Sequence, residues 1–360
     1  MRILIINANR FDRNGMSTVI MSYYNELKKN KIHADLIANE VIERDFRNSF
    51  ESNRDKVFLL HNRKKNPLGY ALKVKKILEN GNYDIVHIHG NSATLILELF
   101  AIRKIKIIKV VHGHGVTTSH PIIHSMFKNK LNALCHYRFA ASEEAGKFLF
   151  GKNKFYVIPN GIKTGKYVFD KKTRASVRKN LNLENNDKLI VQIGAFTYQK
   201  NYEFTVKLIN SLKEFSNIHF LLLGNGPEKE KIKNEIKKFN LEKSVLVHDA
   251  VSNVNDFLMA ADGVIFPSRF EPFGIVALEA QASGVPVAVS EFFVKKLNLS
   301  PIISYLPLNL TLWKKWIVNL KTNDFHNTIQ YVELIKNSDY DIENNAQKMI
   351  DFYKKMLRYS

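Results

Sequence analysis

The chain has one cysteine in 360 residues, Cys135, which excludes an intramolecular disulfide. A single thiol is what a reducing compartment permits, not what a small secreted scaffold needs. Long apolar runs are equally scarce. The opening MRILIINANR offers four apolar residues before Asn7, too few for a signal-peptide core, and no stretch approaches the roughly 18 apolar residues of a membrane span. Short repeats and low-complexity tracts are missing too, so these absences predict a folded, cytoplasmic protein. In the first half, negative charge is scarce. Residues 1–180 carry 33 Lys/Arg against 14 Asp/Glu, whereas residues 181–360 carry 21 against 20. The formal net charge of +20 is therefore concentrated in the first half, and a polyanionic partner has to be considered. Nucleic acid is not expected, because no binding module or aromatic platform accompanies the charge.

What is present is alternation. Short β-rich apolar runs (Arg2–Ile6, His33–Ile37, Val57–Leu60, Ile85–His89, Ile107–Val111, Arg138–Ala141, Phe155–Ile158) are separated by amphipathic stretches such as Ser17–Lys29, Leu68–Leu78 and Glu143–Leu149. The pattern restarts with strands Leu189–Ile193, His219–Leu223, Val245–His248, Gly263–Phe266 and Val285–Val289 and helices Tyr202–Phe215, Glu228–Phe239 and Val276–Ser283. This is the signature of two doubly wound parallel α/β sheets in tandem, as the length also suggests. The polar segment Lys163–Asp187 is the candidate linker. The expected domains are residues 1–165 and 166–340, with a last amphipathic helix at about 341–360 free to cap either one. Ligands of open parallel sheets bind beyond the carboxyl ends of the strands, so the site is expected in the cleft between the two sheets.

Four places after strands carry candidate chemistry. In NANRFDRNGMS, Asn14-Gly15 turns the chain and Ser17 can cap the next helix, leaving N–H groups to face an anion. In IKIIKVVHGHG, His112 stands at a strand's carboxyl end beside His114, with glycines leaving room for a substrate. The nearby histidines His87, His89, His120 and His124 invite a metal reading. It is set aside because no carboxylate or cysteine stands at ligand spacing and because strand residues alternate in direction. In VQIGAFTYQKN, Gly194 ends a strand and Lys200 arrives at the next helix as a point charge. In FPSRFEPFGIVALEAQASGVPVAVS, Glu271 opens a helix that carries Glu279 eight residues on, about 10 Å away if the connection is helical. That spacing suits two acceptors gripping one elongated ligand better than a close catalytic carboxylate pair.

Together these motifs resemble the retaining glycosyltransferases of family 4, which have the GT-B fold: two Rossmann-like domains facing across a cleft. The match includes Asn14-Gly15, Asp84–His89, Ile158-Pro159-Asn160-Gly161-Ile162, Gly194 through Lys200-Asn201, Leu223–Pro227 and the E-x7-E pattern with Ala282-x-Gly284-Val285-Pro286-Val287. The resemblance implies that Glu279 holds the ribose hydroxyls of a nucleotide-sugar, that Glu271 and the backbone of Phe273, Gly274 and Ile275 hold the sugar, and that Lys200 neutralises the diphosphate with Gly15 approaching it. His112 matches the histidine near the anomeric centre, with His114 competing for the role; Asn160 belongs to the pre-linker hallmark. The final helix would cross back onto the N-terminal domain.

Three departures stand out. Asn14 replaces a second glycine in the first loop. Ala195 stands where an arginine usually follows Gly194, with Arg269 a candidate replacement. Glu291–Leu310 lacks a Gly-rich stretch, as in the subgroup of capsular and exopolysaccharide clusters.

The function this implies is metal-independent transfer of a sugar, with retention, from a nucleotide-diphospho-sugar, a UDP-sugar by expectation, to a hydroxyl of a lipid-linked glycan in cell-surface polysaccharide synthesis. The basic amphipathic stretch Asn62–Leu78 suits an anionic membrane surface, which puts the enzyme at the inner face of the cell membrane. A nucleotide-sugar 2-epimerase of the same fold and a noncatalytic nucleotide-sugar-binding partner are the alternatives. Sugar, linkage, acceptor and oligomeric state are not legible in the motifs.

Overall fold

The structure, a computed structural model, describes residues 1–12, 14–271, 273–321 and 328–358. Arg13 of the first loop, Pro272 of the fourth motif and the last two residues of the expected terminal helix lie outside the described residues. The chain divides into two units, Met1–Gly161 with Ile342–Ser360, and Ile162–Asp341.

The first unit is a seven-stranded parallel sheet of β1 (Arg2–Phe11), β2 (His33–Ile42), β3 (Val57–Leu60), β4 (Ile85–Gly90), β5 (Ile108–Gly113), β6 (Tyr137–Ala140) and β7 (Tyr156–Val157), in the order β3-β2-β1-β4-β5-β6-β7. The chain starts in the middle of the sheet, winds outward through β3, and returns to wind the other way. Right-handed crossovers then place the helices of the two arms on opposite faces. Helix Gly15–Lys29 packs with the terminal helix Ile342–Arg358, while Pro67–Asn80, Ile96–Ala101, Pro121–Leu134 and Glu143–Phe150 lie side by side. The terminal helix buries Ile342, Ala346, Met349, Ile350, Tyr353 and Met356, one stripe at the helical period.

The second unit is a six-stranded parallel sheet of β8 (Lys188–Ile193), β9 (Ile218–Leu223), β10 (Val245–His248), β11 (Gly263–Phe266), β12 (Val287–Ser290) and β13 (Ile303–Leu306), in the order β10-β9-β8-β11-β12-β13. β11 and β12 are buried at every position, as strands covered on both faces must be. β13 has no counterpart among the expected strands. It is four residues long, lies between Pro301 and Pro307, and occupies the sheet edge where proline is tolerated.

The expected linker is not a linker. Within Lys163–Asp187 the chain forms a 3₁₀ turn, Thr164–Tyr167, and a helix, Lys171–Asn180, whose two arginines converge on buried Asp262. Arg174 Nη2 donates to Asp262 Oδ1 at 2.6 Å, Arg178 Nη1 to Oδ2 at 2.9 Å, and the Leu189 amide to Oδ2 at 2.8 Å. Two cations of the expected linker, Arg174 and Arg178, are thus held by a carboxylate inside the second unit. The chain leaves the first unit at Gly161 and re-enters it at Ile342, and Ile162 and Asp341 form a parallel bridge where the two passages meet. With this division the first unit has 30 basic and 15 acidic residues and the second 24 and 19. The asymmetry is smaller than the halves of the sequence suggest. Among the described residues, no helix is long and apolar enough to cross a membrane.

Candidate functional site

In the second unit, β8 runs into Gly194, whose φ of +155° is open to glycine and costly for other residues; a Cβ there would lie 3.3 Å from the Lys200 side chain. The following turn is tied down at several points. Tyr202 Oη donates to the Gly194 carbonyl at 2.8 Å, Gln192 Nε2 to the Lys200 carbonyl at 3.0 Å, and Asn201 Nδ2 to the Pro267 carbonyl at 3.0 Å. Lys200 Nζ then pairs with Glu271 Oε2, and Glu271 Oε1 accepts from the Gly274 amide at 3.2 Å. Gly274 caps the helix Ile275–Ala282 at φ +60°, and a Cβ on it would come within 2.4 Å of the Phe293 ring. Lys200, Glu271 and a helix N-terminus therefore form one connected set, flanked by half-buried Phe273 and Ile275. The helix begins only at Ile275, so an even helical rise between Glu271 and Glu279 holds for its second half alone.

Glu279 lies on that helix, half-buried, with the Tyr167 hydroxyl hydrogen-bonded to its carboxylate. Burial pushes the Glu279 carboxyl up to about 7, against smaller downward pulls from Tyr167 and from the charge of Lys166. Sequence reasoning missed Tyr167 by placing it in a linker; the apolar run Tyr167-Val168-Phe169 in a mostly polar segment was the available signal. Arg269 does not join Lys200. Its guanidinium lies over the Tyr198 ring at 4.1 Å, donates to the Tyr198 carbonyl at 3.2 Å and reaches Glu203 at 3.4 Å.

In the first unit, Asn14 rather than Ser17 caps the helix Gly15–Lys29: Asn14 Oδ1 accepts from the Ser17 amide at 3.0 Å, and Ser17 is buried inside the first turn. Ser17 is too far along the chain to be the cap because the helix starts two residues before it. A Cβ on Gly15 would meet nothing within 4 Å, so the space beside this residue is open.

His87, His89, His112 and His114 share one face of the sheet, which corrects the alternation argument. Residues two apart on a strand point the same way, and the register sets His112 beside His89. His89 Nδ1 and His114 Nε2 are 2.8 Å apart, His87 Nδ1 meets the Tyr353 hydroxyl of the terminal helix, and the His87 and His112 rings are parallel to within 3°. The ligand-capable nitrogens of His87, His89 and His112 lie within 4.8 Å of one another, a bound wider than the roughly 3.4 Å between ligands of tetrahedral zinc. Burial, reinforced by the neighbouring imidazoles, holds His112 well below the usual histidine range, and burial takes His114 down to about 4 against a smaller upward pull from the Asn160 side chain. His112 is thus a neutral imidazole at pH 7, able to act through hydrogen bonds and not through charge. The loop containing Asn160 is anchored at Pro159, whose carbonyl accepts from Tyr23 Oη at 2.9 Å and Asn345 Nδ2 at 2.8 Å.

A cavity of about 880 Å³ opens at the carboxyl ends of this first sheet. Its lining includes Asn14, Arg63, Lys64, Lys65, Asn91 and His120 but not His112. Most of these are polar groups able to hydrogen-bond hydroxyls, and Arg63 is itself held by a bidentate pair to buried Glu98 at 2.6 and 2.9 Å.

Residues 13–166 match the family model described as Glycosyltransferase Family 4, and residues 173–294 the model described as Glycosyl transferases group 1. EpsF of Bacillus subtilis (strain 168), a glycosyltransferase by provisional name, is 24% identical across 95% of this chain and 94% of its own. The UDP-Gal:alpha-D-GlcNAc-diphosphoundecaprenol alpha-1,3-galactosyltransferase of Escherichia coli is 25% identical over 79% of each chain. Among solved structures, Anabaena HepE in complex with UDP and glucose superposes with a TM-score of 0.78 at 17% identity over 99% of this chain and 100% of that one. A Rickettsia africae glycosyltransferase superposes at 0.80, with 15% identity over the whole of both chains.

Proposed function

The chain is a glycosyltransferase of the GT-B, family 4 type, and from that premise we propose that it transfers a sugar, with retention, from a UDP-sugar to a hydroxyl of a lipid-linked glycan held at an anionic membrane surface. The observation that carries the donor half is the connected set Lys200–Glu271–Gly274. A cation and a helix N-terminus side by side are what a departing diphosphate requires, and they need no metal ion to do it. Ala195 and the engaged Arg269 leave Lys200 as the cation of this set. Uridine diphosphate is supported by the names of the Escherichia coli relative and the Anabaena structure.

In the reaction the bond between the anomeric carbon and the β-phosphate oxygen breaks as the acceptor oxygen bonds to the same face, and the acceptor's proton passes to the departing phosphate. Glu271 orients Lys200 and the Gly274 amide. The half-buried Glu279 carboxylate accepts from the ribose hydroxyls. The polar cavity of the first unit takes the acceptor glycan. Its size suits a few sugar residues, and its lining suits hydroxyls.

The test is a thermal-shift screen of nucleotide sugars, followed by turnover on an undecaprenyl-diphosphate-linked acceptor with and without EDTA. Lys200→Ala and Glu271→Ala should each lower transfer by about 100-fold or more, the scale of losing a preorganised charge-stabilising group. Near-wild-type turnover in both variants would sink the assignment, and donor conversion without any acceptor would replace it with epimerisation.

A further inference from the structure

The two helical layers of the first unit differ in charge and in what they expose. On one side, residues 14–56 carry seven basic and seven acidic side chains. On the other, residues 61–134, which supply the adjacent helices Pro67–Asn80, Ile96–Ala101 and Pro121–Leu134, carry 12 basic and three acidic ones. One of those acidic groups, Glu98, is buried against Arg63. The stretch 61–134 thus contributes nine of the unit's net fifteen positive charges.

That layer also exposes large apolar side chains. Leu68 and Leu72 on the first of these helices, Phe100 on the second, and Ile122, Ile123 and Met126 on the third are between 41% and 77% exposed. The spacing is regular: Leu68 and Leu72 are four apart, as are Ile122 and Met126, so each pair stands on one side of its helix. Cations accompany them, with Lys73, Lys75 and Lys76 on the first helix and Lys128 and Lys130 on the third. The Arg103 guanidinium lies 3.8 Å from the centre of the Phe100 ring.

The 880 Å³ cavity fixes which end of the layer matters. Its lining includes Lys64 and Lys65, Thr94 and Leu95, and Thr117 to His120, which are the segments immediately preceding the three helices. Leu68, Ile122 and Ile123 fall in the first turns after those segments, so the apolar side chains begin at the cavity mouth.

We infer that this layer is a docking face for an anionic lipid bilayer: Leu68, Leu72, Ile122, Ile123 and Met126 enter the interface, the lysines lie at headgroup level, and the cavity receives the glycan of an acceptor whose lipid stays in the membrane. Apolar side chains ringed by lysine are the chemistry of an interfacial helix, and the charge is complementary to anionic headgroups alone. This rests on the lipid-linked acceptor proposed above and narrows the expected membrane stretch, Asn62–Leu78, to one part of a three-helix surface.

The full chain is tested by co-sedimentation with vesicles of phosphatidylcholine alone and with 30 mol% phosphatidylglycerol, both free of acceptor. Binding should require phosphatidylglycerol and weaken with salt. Neutralising Lys73, Lys75 and Lys76 with Gln should reduce it by about fivefold per lysine, whereas Lys233→Gln, Lys237→Gln and Lys238→Gln together, the same charge change in the second unit, should leave it within twofold. Equal losses in the two triple variants would reduce the effect to bulk charge and overturn the proposal.

Met126→Trp adds a positional readout against native Trp313 and Trp316. Its emission should be quenched by brominated lipid in phosphatidylglycerol vesicles, and an unquenched signal would overturn the face. UDP-sugar binding in solution, followed in parallel, separates the two readings. Donor binding with no vesicle binding removes only the face. Vesicle binding that meets these criteria with no donor binding removes only the donor reading.

Discussion

At the scale of single residues, Glu279 shows how burial converts an ordinary carboxyl into a titrating group near neutrality. Its ordinary value of 4.5 rises to about 7 because the charged form loses water, and the Tyr167 hydrogen bond recovers part of that loss. Because the folded protein holds this proton more tightly than the unfolded chain, the stability contributed by Glu279 is complete below about pH 4.5 and declines as pH rises to about 7. Donor binding should run the other way, since only the carboxylate accepts from ribose hydroxyls without competition from its own proton. UDP affinity should therefore rise by about tenfold or more across pH 6 to 8, the scale of a hydrogen bond to a charged group. Glu279→Gln should flatten that rise. Tyr167→Phe should move its midpoint upward, because the bond that favours the charged form is gone. Isothermal titration at several pH values measures all three, and a midpoint unmoved by Tyr167→Phe would show that Tyr167 does not set the carboxyl's ionisation.

At the scale of elements, the helix Lys171–Asn180 is where sequence and structure part company, and the reason is physical. Its sequence, KKTRASVRKN, has almost no apolar residues, so hydrophobic periodicity cannot announce it as packed. What fixes it is Asp262, 84 residues after Arg178, which receives both arginines and the Leu189 amide while fully buried. Asp262→Ala should strand two guanidiniums and cost about 3–5 kcal/mol, read as a lowered unfolding midpoint of the second unit in denaturant. A change below 1 kcal/mol would mean that the arginines find other partners.

The short edge strand β13 and the helix Pro121–Leu134 were hidden for related reasons. The first is four residues between prolines. The second has an apolar N-terminal half that faces outward, so its pattern does not report a core. Strands between clear boundaries, such as Val57–Leu60, Val245–His248 and Gly263–Phe266, are legible because short runs rich in β-branched, leucine and aromatic residues leave little else for them to be, although only Gly263–Phe266 is buried throughout. Of the site, the motif residues could be named from the sequence, but the Lys200–Glu271 pairing could not, because it joins loops 71 residues apart.

At the scale of the whole molecule, the chain's last element completes the first unit. The terminal helix covers the helix Gly15–Lys29, places Tyr353 against His87, and donates from Asn345 to the Pro159 carbonyl. Its buried Met349, Ile350, Tyr353 and Met356 would otherwise leave an apolar face of the first unit in water. Both tryptophans, Trp313 and Trp316, lie in the helix Leu310–Val318 of the second unit, so their fluorescence reports on that unit alone. Truncation after Asp341 should therefore separate two signals that coincide only by accident in the intact chain. Circular dichroism should show part of the helical signal melting earlier, while the tryptophan transition keeps its midpoint. If the tryptophan midpoint fell by as much as the helical signal, the helix would be supporting both units, and the division of the chain at Ile342 would not be a division of stability.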